Sequence, residues 1–122
     1  MAANVTRRTE ETALDVVNAI VGICLALSPW VLAYTTEAAA AWNAWLAGAA
    51  IALIAIGALV SFTEWEEWAN LVLGLWVLAA PWLLGFSTVA AATNTHVIAG
   101  IIVAILAAIE LWYAYKRPVS TV

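Results

Sequence analysis

The sequence predicts an all-α membrane protein with four transmembrane helices, built as two tandem helical hairpins related by a pseudo-two-fold axis along the membrane normal. Three observations predict it. The chain is 66% hydrophobic and only 10% charged, far too little charge to cover a soluble domain of 122 residues. Four apolar stretches run without an internal lysine or arginine, over about 14–34, 42–62, 68–87 and 95–115. Finally, the Pro29-Trp30 pair returns fifty-two positions later as Pro81-Trp82.

Each apolar stretch is long enough to cross about 30 Å of hydrocarbon at 1.5 Å per residue. In lipid every backbone polar group must bond internally, and these runs are too long for barrel strands, so they read as helices. The first carries an n-region-like Arg7-Arg8. It is nevertheless too long for the core of a cleaved signal peptide, and it holds Pro29-Trp30 near its far end. The connectors at 35–41, 63–67 and 88–94 are short, which makes neighbouring helices antiparallel.

Four basic residues set the expected orientation. Arg7 and Arg8 precede the first span, and Lys116 and Arg117 follow the last. An even number of spans puts both clusters on one side, and the positive-inside rule makes that side cytoplasmic. The 63–67 connector then faces the cytoplasm, and the other two face outward. Tryptophans mark both interfaces: Trp30, Trp42, Trp45 and Trp82 near the outer helix ends, and Trp65, Trp68 and Trp112 near the inner ends. Trp76 is the exception, mid-span against lipid or a neighbouring helix.

The offset of fifty-two extends well beyond the Pro-Trp pair. Asn18 recurs as Asn70, Gly22 as Gly74, Leu32 as Leu84, Gly48 as Gly100 and Ala52 as Ala104, while Asp15 has an acidic counterpart in Glu67. The units fall at 13–62 and 63–115, between tails at 1–12 and 116–122. Two spans per unit give parallel rather than inverted repeats.

Several residues stand out within this frame. Pro29 and Pro81 each remove a helix hydrogen bond, to the carbonyls of Leu25 and Val77, and kink their helices near the outer end. Ser28 can serve the freed carbonyl locally in the first unit; Ala80 cannot in the second. Asp15 with Asn18, and Glu67 with Asn70, lie three residues apart on one helical face at the inner rim. The acids suit helix starts, with Thr12 and Asp15, or Thr63 and Glu66, fitting capping boxes. The buried asparagines are expected to bond across the pseudo-two-fold; a symmetric polar funnel for protons or cations is the functional alternative. No ionisable group sits at mid-span, and Glu110 reads as an interfacial charge snorkelling toward Lys116 or Arg117. Small residues at Ala44, Gly48 and Ala52, and at Gly100, Ala104 and Ala108 after His96, let helices approach closely, between the two hairpins or toward a partner. Cys24, the one cysteine, reads as a small buried thiol.

The excluded classes are equally informative. A pI near 4.6 and four basic residues give no nucleic-acid footprint. There is no Ser-His-Asp set, phosphate loop or CxxC, so no enzyme is expected. His96, the single histidine, is a poor metal site alone, and no metal or other cofactor is expected; it reads as an interfacial residue with axial ligation of a pigment or haem as the alternative.

The residues also carry a resemblance. SPWVL and APWLLGFS, each preceded by N-x-x-x-G, resemble the SPW-repeat integral membrane proteins of bacteria, as do WANLVLGLWVLAAPWLLGFS at 68–87 and WNAWLAGAAIA at 42–52. Two departures are visible: Ala80 stands for the second serine, and Asn94-Thr95 stands where Trp-Asn opens the matching helix. The resemblance implies a bacterial inner-membrane protein of two hairpin repeats, and supplies no catalytic residue or substrate. The expected role is a non-enzymatic structural or accessory subunit that packs, within the bilayer, against itself or other membrane subunits. The alternatives are a small transporter or channel using the groove between hairpins, and a pigment, haem or quinone site at His96, Trp76 or the outer tryptophans.

Overall fold

The structure is a computed structural model. It describes residues 2–60 and 64–116, with side chains over 12–60 and 65–113. Four helices follow one another: α1 (Ala2–Val31), α2 (Ala38–Val60), α3 (Glu64–Leu83) and α4 (Ala90–Lys116), with no strand among the described residues. Three segments are long and apolar enough to cross a membrane: Thr12–Val31, Ala38–Val60 and Ala90–Tyr113. The third expected span is the exception, since α3 opens on glutamates at 64, 66 and 67 and stops at Leu83 rather than at 87.

The helix ends depart from the sequence reading for local reasons. Helix α1 continues toward the N-terminus to Ala2, so Thr12 lies mid-helix and caps nothing. Thr63, the other expected cap, lies outside the described residues. Ala38–Ala41, expected in the 35–41 connector, open α2 instead: alanine is the best helix former, and the Ala41 N–H closes the first turn on the Glu37 carbonyl at 2.8 Å.

The far ends of α1 and α3 close alike. Tyr34 N–H donates to Pro29 O at 2.9 Å and Phe86 N–H to Pro81 O at 2.8 Å, six-residue rings of the kind that end helices on a left-handed residue. That residue is Gly85 after α3, at φ 79°, but Ala33 after α1, at φ 60°. A side chain is strained in this conformation, by about 1–2 kcal/mol. Ala33→Gly is therefore expected to raise stability by up to about 1 kcal/mol, read as a later midpoint in detergent unfolding.

Helix α1 packs along α2 and α3 along α4; α1 also meets α4 and α2 meets α3, closing a four-helix ring. Glycine makes the two main contacts. A Cβ on Gly48 would lie 2.5 Å from the Ala26 nitrogen and 2.6 Å from the Gly22 carbonyl. A Cβ on Gly100 would lie 2.6 Å from the Leu78 nitrogen and 2.7 Å from the Gly74 carbonyl. The glycines of these stripes are thus used between the two helices of each pair.

The lateral contacts are unlike each other. Between α2 and α3 the Trp76 indole N–H donates to Asn43 Oδ1 at 2.8 Å, which gives the mid-span tryptophan a polar partner. Between α4 and α1, at positions offset by fifty-two from these, stand Thr95 and Cys24. The smaller side chains leave an apolar groove of about 280 Å³ lined also by Val21, Ile98 and Ala99. Cys24 is accordingly exposed, not buried as its apolar surroundings in sequence suggested.

Tryptophan covers the outside at both ends. Trp30, Trp42 and Trp82 are exposed at the end carrying the 32–37 and 84–89 turns, and Trp65 and Trp112 at the other. Trp45 packs between Trp30 and Trp42, with ring centroids at 5.2 and 5.1 Å.

Candidate functional site

The buried polar side chains gather at the two ends of the bundle. At the end with the 32–37 turn, Ser28 Oγ–H donates to the Leu25 carbonyl at 2.7 Å, the acceptor that Pro29 leaves without its helix partner. The Tyr34 hydroxyl bonds to Ser28 Oγ in turn. The matching positions near α3 are Ala80 and Phe86, and there the Phe86 ring meets the His96 imidazole at 4.8 Å. Trp30 and Trp82, the remaining members of the repeated motif, face outward.

His96 is fully buried within the bundle, nearly two turns along α4, which begins at Ala90. Its Nδ1–H donates to the Ala92 carbonyl at 2.8 Å, which leaves Nε2 buried without a partner.

The opposite end holds the denser cluster. Asp15 from α1, Glu67 from α3 and Glu110 from α4 each offer a carboxylate oxygen, and these oxygens all lie within 4.8 Å of one another. The three side chains are at most 2% exposed. The four oxygens of Glu67 and Glu110 accept no hydrogen bond from any N–H or O–H. One turn deeper, on the same faces of α1 and α3, Asn18 and Asn70 are 0% exposed, and neither amide oxygen nor amide nitrogen has a partner. Glu66 is also buried, with Oε2 beside Gly57 of α2.

Of the sequence pairs Asp15/Asn18 and Glu67/Asn70, the two acids converge with a third, Glu110, while the two asparagines, expected to bond across the pseudo-two-fold, have no hydrogen-bond partner. Glu110 was expected to be solvated at the interface; it turns inward and is buried. The offset contains the clue: Glu110 stands fifty-two positions after Ala58, and His96 fifty-two after Ala44, both buried alanines. These are the positions where the second half sets an ionisable group into a register that the first half fills with a methyl.

Burying a carboxylate costs far more than the fold can offset unless the charge is compensated. The four Lys and Arg residues lie at 7, 8, 116 and 117, outside the described side chains, so no Lys or Arg side chain faces the cluster among the described residues. Chemically, three clustered carboxylates with buried amides one turn deeper are suited to holding protons or a hard cation. Between it and Ser28 lies an apolar waist: the Gly22/Gly48 and Gly74/Gly100 approaches with Leu25, Ile51, Val77 and Val103, all buried.

Apolar helices, tryptophan-covered ends and polar groups turned inward define an integral membrane protein. Residues 12–110 match the SPW repeat domain, and the chain belongs to that family. No curated protein and no solved structure matched it.

Proposed function

We propose that this is a non-enzymatic protein of the bacterial inner membrane that crosses the bilayer four times and acts as an accessory subunit, packing against itself or other membrane subunits. The observation that carries this reading is the apolar waist. Among the described residues the buried polar side chains gather at the two ends, and the closely packed, apolar middle supports a role in packing.

Four crossings, rather than three, are supported by α3 itself. Its contact with α4 at Gly74 and Gly100 has the same form as the contact of α1 with α2 at Gly22 and Gly48. Its Glu66 and Glu67 turn into the protein and away from lipid. Two hairpins related by a pseudo-two-fold along the membrane normal account for both facts. With Arg7, Arg8, Lys116 and Arg117 flanking the spans, both termini are cytoplasmic. The carboxylate cluster is then at the inner end.

Crosslinking after gentle detergent extraction tests the role. A stable higher-order species is expected, and a strictly monomeric particle would count against it. The carboxylate cluster favours one rival, a small cation transporter. Proteoliposomes showing a proton or cation flux that the double substitution Asn18→Leu and Asn70→Leu abolishes would replace the accessory reading with that one.

A further inference from the structure

We propose that Asp15, Glu67 and Glu110 together bind one hard divalent cation, with the amide oxygens of Asn18 and Asn70 as further ligands. This rests on the cluster itself and stands apart from the accessory-subunit reading.

The spacing fits a shared coordination sphere. At Ca–O distances of 2.3–2.6 Å, two oxygens on opposite sides of one ion stand about 4.6–5.2 Å apart, and adjacent ones stand closer. All three carboxylate oxygens fall within 4.8 Å of one another. They come from three different helices, and two ionised glutamates side by side in a nonpolar interior, with no hydrogen bond to any of their four oxygens, would otherwise push α3 and α4 apart.

The asparagines supply the second, independent observation. A proton shared among the acids would satisfy the carboxylates and leave both amides as they are, fully buried with oxygen and nitrogen unpartnered. Unpartnered buried amides are costly and rare. Three carboxylates with two buried, unpartnered amide oxygens one turn deeper on α1 and α3 make a set suited to a cation. The set contains no sulfur and no imidazole, since Cys24 lines the lateral groove and His96 lies at the far end. That composition selects Ca²⁺, Mg²⁺ or Mn²⁺ over Zn²⁺ or Cu²⁺. A dication also removes most of the charge that three ionised acids would bring into the bundle.

The test is Mn²⁺ titration, followed by electron paramagnetic resonance, on chelator-stripped protein in nanodiscs. One Mn²⁺ per chain is expected, displaced by Ca²⁺ or Mg²⁺, together with a higher unfolding temperature. Glu110→Gln and Glu67→Gln should each weaken binding by at least about tenfold, while Glu37→Gln, at an exposed acid in the 32–37 turn, leaves it unchanged. Asn70→Asp adds a charged oxygen at the same place and should tighten binding, which keeps the proposal testable if the Gln variants fail to fold. Stripped wild-type protein of full helix content that binds no Mn²⁺, or that binds it equally well after both Gln substitutions, would overturn the site.

Discussion

Gly48→Ala is expected to destabilise the protein by about 1–3 kcal/mol or more, although alanine is the better helix former by about 1 kcal/mol. The added methyl would lie 2.5 Å from the Ala26 nitrogen and 2.6 Å from the Gly22 carbonyl. Both are backbone atoms, so no side chain can rotate away and α1 and α2 must separate along their length. In lipid this is severe, because helices associate there through close packing and not through exclusion of water. Gly57→Ala is the control on the same helix. Its methyl meets only Glu66 Oε2 at 2.9 Å, the end of a flexible side chain. It should therefore be neutral or slightly stabilising. Unfolding by titration with a denaturing detergent, followed by circular dichroism, reads the difference. Equal effects of the two substitutions would mean that the Gly22/Gly48 approach does not hold the pair together.

Ser28→Ala is expected to cost about 1–3 kcal/mol, since it leaves two buried groups unsatisfied at once. One is the Leu25 carbonyl that Pro29 cannot serve, and the other is the Tyr34 hydroxyl. Adding Tyr34→Phe should recover part of that loss. The double variant no longer buries an orphan hydroxyl, and it reproduces the Ala80 and Phe86 pairing already used beside α3. The non-additivity expected for residues in direct contact is about 0.5–3 kcal/mol. A double variant as unstable as the sum of the two singles would show that the two hydroxyls do not act as a unit.

The large features were legible in the sequence because they depend on composition and periodicity. Apolar length and short connectors gave four helices, and the glycines of the repeated pattern fall at the two close helix approaches. Helix ends were less legible, because they depend on single residues: Gly85 turns the chain after Leu83, inside a run that hydropathy alone extends to 87. The site was half legible. Asp15, Asn18, Glu67 and Asn70 stand out as polar exceptions at matching positions, but the convergence of the two acids with Glu110 is tertiary. Proximity to Lys116 and Arg117 suggested a solvated Glu110, and only the rotation of α4 against α1 and α3 turns it inward. The exposure of Cys24 is hidden for the same reason, since hydropathy identifies a span without saying which face meets a neighbour.

The central claim is that α3 crosses the membrane, so that both termini share a side with the carboxylate cluster. Cys24→Ser gives a background without cysteine, into which single cysteines can be placed at Thr9, Thr36, Ser61, Thr88 and Ser120. A membrane-impermeant maleimide applied to intact spheroplasts should label positions 36 and 88, and should reach 9, 61 and 120 only after lysis. Labelling of 9 and 120 from opposite sides of the membrane would reduce the crossings to an odd number and contradict the account.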